Sequence, residues 1–150
     1  MQTRHWTRRL FLILLGALLG GVAWAEQSVS VGDFTIHYNA FTTDTLTPQV
    51  ARQFKIQRSR NKAMLTISVV KSEMVGVPKS VPAEVTVEAA NLSGQLKKLQ
   101  IREIKEGDAI YYIAVFPVAN EETLDFTLRV KPAGAPKAYT IHYRKQFFTQ

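Results

Sequence analysis

Asp108-Ala109-Ile110-Tyr111-Tyr112-Ile113-Ala114-Val115-Phe116 is the stretch on which the fold class of this 150-residue chain turns. It is the longest unbroken apolar run after the first 25 residues, dense in aromatic and β-branched types. Glu106-Gly107 precedes it and Pro117 follows it. A run of this length between such borders suits a strand better than a helix, and its continuous apolarity suits burial on both faces.

The segments on either side repeat a period of two. Downstream, Leu124, Phe126, Leu128 and Val130 alternate with Thr123, Asp125, Thr127 and Arg129. After a loop over 132–136, Tyr139–Phe147 puts Tyr139, Ile141 and Tyr143 on one face. Upstream, Val29–Val31 is followed by Phe34, Ile36, Tyr38 and Ala40 alternating with Thr35, His37 and Asn39. Leu65, Ile67 and Val69 then alternate with Thr66 and Ser68, and Val85, Val87 and Ala89 with Glu84, Thr86 and Glu88. Each pattern fits a strand with one face toward a core.

Three segments read differently. Ser72–Ser80, with Gly76 and Pro78, is a connecting loop. Thr47-Pro48 reads as an N-cap with proline at the first helical position, so Pro48–Gln53 is expected to form a short helix docked through Val50 and Phe54. Gln95–Lys105 fits two templates: Leu96, Leu99 and Glu103 make a helical stripe, whereas Leu99 and Ile101 against Gln100 and Arg102 make a strand. Turn residues at Ser93-Gly94 and Glu106-Gly107 favour the strand, as one arm of a hairpin with the central run. The sum is roughly seven to nine short strands and one marginal helix, which predicts an all-β, antiparallel two-sheet sandwich, immunoglobulin-like in general plan. A small closed barrel is the alternative. An outer-membrane barrel is disfavoured, because the chain does not end on an aromatic residue and lysines crowd several strands.

Residues 1–25 read as a cleavable export signal. Arg4, Arg8 and Arg9 form a basic start, Leu10–Leu19 an apolar centre, and Ala23-Trp24-Ala25 offers small residues for cleavage before Glu26. The apolar centre is too short to span a hydrocarbon layer of about 30 Å. Thr7-Arg8-Arg9-Leu10-Phe11-Leu12 resembles a twin-arginine signal, but the strongly apolar centre favours the general secretory route. The expected mature chain, 26–150, is a single domain. It loses three arginines with the signal and keeps 16 basic residues against 12 acids, a net +4. That mild charge on an exported protein argues for solubility or weak attraction to anionic envelope polymers rather than nucleic-acid binding. With no cysteine in the chain, disulfides and thiolate metal sites are excluded.

Candidate chemistry is sparse. His37 and His142 each stand in a Thr-Ile-His-Tyr tetrapeptide near opposite ends of the domain. If the first and last strands adjoined, these imidazoles with Met64 or Met74 would make a copper-type ligand set. Parity argues against it, because the neighbouring Ile and Tyr residues take the inward positions and leave both histidines on polar faces. No Gly-x-Ser-x-Gly motif occurs, and the acids are scattered apart from Glu121-Glu122 in a turn. Two features suggest a recognition surface: the basic run Arg58, Arg60, Lys62 and the pair Tyr111-Tyr112, whose two rings must face opposite sides of one strand.

Several blocks carry a family resemblance. They are Leu46-Thr47-Pro48 with Val50-Ala51, Ile56-x-Arg58-Ser59-Arg60, Asn91-Leu92-x-Gly94-Gln95 and the closing Gln146-Phe147. The most specific is Arg102-Glu103-Ile104-x-x-Gly107-Asp108-Ala109-Ile110-Tyr111-Tyr112-Ile113. Together they resemble the domain of unknown function 4426 family, small exported proteins of Gram-negative bacteria. The resemblance implies a periplasmic β-rich domain and brings no activity, cofactor or catalytic residue. The expectation is therefore a periplasmic, non-catalytic binding or accessory module, without a cofactor, that contacts an envelope protein or peptide through a sheet edge. The alternatives are an envelope hydrolase or carbohydrate-active enzyme, and a periplasmic copper carrier.

Overall fold

The computed structural model describes residues 26–150, so the expected export signal lies outside the described residues. The alternating segments form ten strands: β1 (Gln27–Val31), β2 (Phe34–Thr42), β3 (Lys62–Lys71), β4 (Lys79–Ser80), β5 (Ala83–Asn91), β6 (Leu96–Lys97), β7 (Arg102–Glu106), β8 (Ala109–Pro117), β9 (Thr123–Pro132) and β10 (Tyr139–Gln146). They make two antiparallel sheets. The first runs β1-β2-β3-β8-β7, with β4 pairing beside β8 on β3, and the second runs β10-β9-β5-β6.

Parity decides which side chains meet between the sheets. Ile36, Leu65, Ile67 and Val69 from the first sheet and Leu124, Phe126, Leu128 and Val130 from the second are fully buried in one core. Burying each such side chain stabilises the fold by roughly 1.5–3 kcal/mol. Rings bridge the layers: Tyr38 meets Tyr143 edge-on at 5.2 Å, and Phe116 lies 5.8 Å from Phe126 and 6.0 Å from Phe147. The two tight hairpins of the first sheet with two-residue turns, β1-β2 and β7-β8, both turn on Gly-Asp. Gly32 and Gly107 take φ of +58° and +57° there, a conformation that a Cβ would strain.

Three expectations are corrected. The central run, now β8, is not buried on both faces. Tyr112, Ala114 and Phe116 face the core, whereas Tyr111 and Val115 on the outer face are 40% and 37% exposed. Gln95–Lys105 is not one strand but two short ones on different sheets, with 98–101 carrying the chain across. Lys97 anchors this crossing by donating from Nζ to the carbonyl of Pro117 at 2.7 Å and pairing with Glu122 Oε1 at 2.9 Å. The loop after β3 is also shorter than expected, because Lys79 and Ser80 pair with Lys71 and Val70.

The expected helix α1 (Pro48–Gln53) is present, with the Thr47 hydroxyl accepting from the Val50 amide at 3.3 Å. Six residues cannot hold a helix alone, so packing must. The buried helical residue is Ala51 rather than Val50, and Phe54 follows it into a second small core. There Ile56, Met64 and Ile113 are buried, with Phe41, Leu46, Phe54 and Ile104 around them. Met64 and Ile113 alternate with core-facing Leu65 and Tyr112. The helix and its flanking loop therefore cover part of the outer face of the first sheet.

Candidate functional site

The basic run is engaged in holding its own loop. Arg58 donates from Nη2 to the Asp44 carbonyl at 2.9 Å, Arg60 Nε lies 3.7 Å from Asp44 Oδ2, and Lys62 donates from Nζ to Gln57 Oε1 at 2.6 Å. These contacts fasten the loop to the 3-10 turn Thr43–Thr45. Thr43 is fully buried; its hydroxyl accepts from the Ser59 amide at 2.9 Å and reaches the carbonyls of Gln57 and Ser59 at 2.8 and 3.1 Å. Lys62 pairs with Pro117 at one end of β8, while Tyr111 sits near the other end, opposite Ile104. The structure thus separates the expected recognition surface into a basic loop at one end of the sheet and an exposed Tyr111 toward the other. Tyr112 is turned into the core.

Tyr112 is 5% exposed, and its hydroxyl has two partners. It accepts from the Ala83 amide across the sandwich at 2.8 Å and donates to Glu103 Oε2 at 3.0 Å. Burial raises the phenol's pKa; the Ala83 contact opposes the rise and Glu103 adds to it. These residues line an end cleft of about 450 Å³ with Glu84, Lys131 and the turn 132–135. Glu84 belongs to the outward row of β5, cross-strand from Lys131.

A second, larger concavity opens on the outer face of the first sheet. β8 pairs with β3 only as far as Tyr112 opposite Ile67. Beyond that point the strands part and Ser80 of β4 takes the place beside Val70. Ser80 Oγ accepts from the Ile110 amide at 3.0 Å and bridges the gap. The resulting groove, about 770 Å³ and open to solvent, is lined by Ser68, Val70, Val77, Ser80, Asp108 and Tyr111 among others.

The two outer faces differ in chemistry. On the first sheet, the register aligns Ser28 with His37 and Ser68, Ser30 with Thr35 and Val70, and Asn39 with Thr66. Apart from Val70 these are hydroxyls, one amide and one imidazole, with the carboxylate of Glu26 at the margin, 3.5 Å from His37 Nδ1. On the β7 side the same face carries Arg102 and Glu106, which bond to the Phe54 carbonyl and the Gln53 side chain of the α1 region. On the second sheet, Glu84 faces Lys131, Glu88 stands beside Thr127 and His142, and Arg129 lies between Thr86 and Thr140. Asp125 there holds Arg144 through a two-pronged contact, and that guanidinium lowers the carboxylate's pKa.

The histidines do not meet. His37 stands on the outer face of one sheet and His142 on the outer face of the other, with Thr127 Oγ1 3.5 Å from its Nδ1. Met64 is buried beneath the α1 region, and Met74 is exposed on the loop between β3 and β4. Among the described residues no group of three or more His, Asp or Glu side chains gathers as metal ligands.

A family model described as "Domain of unknown function (DUF4426)" matches residues 28–150. The chain belongs to that family. The blocks that resemble DUF4426 converge here: Leu46, Ile56, Ile104 and Ile113 share the small core under α1, and Arg58 and Arg60 fasten its loop. A crystal structure of a DUF4426 protein from Pseudomonas aeruginosa is 36% identical, covering 82% of this chain and 94% of that one with a TM-score of 0.69. FetP of uropathogenic Escherichia coli strain F11, expressed recombinantly in the periplasm, is 11% identical with a TM-score of 0.57 over 82% of this chain and 93% of its own. A copper-bound variant of FetP gives 12%, 0.58, 82% and 95%. The FetP likeness is one of fold. No curated protein matches the chain.

Sequence parity had already marked Thr35, His37, Asn39, Thr66 and Ser68 as outward. The groove residues Ser80 and Asp108 carried no such signal, because only the parting of β3 and β8 brings them together.

Proposed function

We propose that this protein is a non-catalytic periplasmic binding module that accepts an extended segment of an envelope protein along β1. The observation that carries the proposal is the bareness of that edge. Gln27-Ser28-Val29-Ser30-Val31 has neither a charge nor a proline. The other sheet edges are guarded: four of the five residues of β7 are charged, β6 is two residues long with a lysine, and β10 carries Arg144 and Lys145. Unguarded edges recruit strands, because their free amides and carbonyls are an unfinished ladder.

The hairpin geometry says which groups are on offer. A two-residue turn makes its flanking pair, Val31 and Phe34, a hydrogen-bonded pair, and every second residue repeats the arrangement. Gln27 and Val29 therefore turn their amides to β2, and Ser28 and Ser30 turn theirs outward. The periplasmic location is supported by the signal-like residues 1–25 and by the fold likeness to FetP, itself expressed in that compartment.

The hydrolase reading ranks second, since in the end cleft Glu103 is engaged by the Tyr112 hydroxyl and Glu84 stands opposite Lys131. The copper reading does not fit the residues present, because the two imidazoles stand on opposite outer faces of the sandwich.

The test is capture from envelope extracts with the wild-type chain and with Ser28→Pro/Ser30→Pro, which removes the outward amides and leaves the β1-β2 bonds in place. A partner held by the wild type, lost by the double variant, and protecting the Ser28 and Ser30 amides from hydrogen exchange supports the proposal. Equal capture by both chains, or by neither, overturns it, provided circular dichroism shows both folded.

A further inference from the structure

We infer that the groove beside Tyr111, with the outer face of the first sheet that runs into it, is a binding site for a neutral oligosaccharide. This goes beyond strand addition at β1 and does not depend on it. The inference rests on three features that meet in one place.

The first is shape. The parting of β3 and β8 leaves an open concavity of about 770 Å³ on the part of the outer face that α1 does not cover. The second is an exposed aromatic ring. Tyr111 is 40% exposed on the groove wall, outside the ring cluster of the core. Its face is available to the C–H side of a sugar ring, and its hydroxyl both donates and accepts.

The third feature is the uncharged, hydroxyl-rich field beside the groove. Ser28, Ser30, Thr35, His37, Asn39, Thr66 and Ser68 form a continuous uncharged field leading to the groove. The other sheet of the same sandwich presents Glu84, Glu88, Asp125, Arg129, Lys131 and Arg144 on its corresponding face. Solubility alone would treat the two faces alike. Hydroxyl and amide groups in rows about 4.8 Å apart both donate and accept, which matches a ligand that is itself a lattice of hydroxyls. An acidic ligand would call for unpaired lysine or arginine, whereas Lys79 in the groove lies 3.8 Å from Glu73 and shares the lining with Asp108. The apolar lining of Val70, Val77, Pro78, Ala109 and Ile110 adjoins Tyr111, where the C–H faces of a sugar would pack. Ser68 and Ser80 hydroxyls and the Asp108 carboxylate complete the groove; a carboxylate orients a sugar by accepting from two adjacent hydroxyls.

The experiment follows amide resonances of isotope-labelled protein on addition of maltohexaose, cellohexaose, chitohexaose and, as an acidic control, hexagalacturonate. The expected result is saturable shifts at Ser68, Ser80 and 108–111 with at least one neutral hexasaccharide. Tyr111→Ala is expected to weaken that binding by about tenfold or more, the scale of one lost stacking contact, with Tyr111→Phe retaining most of it. Glu88→Gln, on the opposite face, should leave it unchanged. No saturable shift with any neutral probe, preference for hexagalacturonate, or indifference to Tyr111→Ala each overturns the inference. So do shifts that follow protein concentration alone, which would assign the face to a second copy of this chain. Tyr111→Ala lies away from β1 and is expected to leave strand-peptide capture unchanged, so the two proposals fail separately.

Discussion

The hydroxyl of Tyr112, on β8, accepts a hydrogen bond from the backbone amide of Ala83, on β5, at 2.8 Å, joining the two sheets at the end of the sandwich. The same hydroxyl donates to Glu103, so one side chain satisfies a strand-end amide and a carboxylate together. Tyr112→Phe keeps the ring and removes both bonds. It is expected to lower unfolding free energy by about 0.5–1.5 kcal/mol, the net worth of a part-buried hydrogen bond bordering the end cleft. Urea denaturation at neutral pH checks this; a change within measurement error would show that water replaces the hydroxyl.

Alkaline pH should weaken the fold through the same group. Burial raises the pKa of both Tyr112 and Tyr143 above the phenol's ordinary 10.0. The native chain then holds these protons at a pH where the unfolded chain has released them. Their contribution is complete below pH 10.0 and is lost as pH rises through the raised values. Melting temperature followed from neutral pH upward should fall more steeply above that point in the wild type than in Tyr112→Phe/Tyr143→Phe. The difference between the two chains is the quantity to read.

Thr43 offers a second buried hydroxyl with a defined task. Thr43→Val preserves shape and leaves the Ser59 amide and the Gln57 carbonyl without this partner. A loss of about 1–3 kcal/mol is expected. Faster proteolysis or hydrogen exchange at 57–60 is expected with it, because this hydroxyl ties the arginine loop to the sheet.

Calorimetric titration with copper(II) and zinc(II) is expected to give no site tighter than micromolar. His37→Ala and His142→Ala should each leave the isotherm as it is, because the imidazoles stand on opposite outer faces. A tight site lost in both single variants would contradict the sheet arrangement itself.

Much of the fold could be read from alternation alone. The period of two assigned Ile36, Leu65, Leu128 and Ile141 to the interior, and the Thr47-Pro48 pair placed α1 to the residue. Local parity does not say which strands adjoin. The split of Gln95–Lys105 into β6 and β7 arises because its two ends find different sheets, and nothing within the segment encodes that. Burial of Ile113 on the outer face depends on Phe54 and Ile56 folding back over it, a contact made across half the domain. The groove was hidden for the same reason. Tyr111 could be recognised as facing away from Tyr112, but its neighbours Ser68 and Ser80 follow from where β3 changes partners.

That change of partners also bears on how the chain reaches its native state. β3 finds β2 at once, yet its other neighbour, β8, is made only after β4 to β7, and the second sheet closes only with β9 and β10. Such long loops must be closed before their contacts repay the lost entropy, which makes assembly slow. During synthesis the β1-β2-β3 meander would wait with its apolar side uncovered, a natural client for holding chaperones until the final strands arrive.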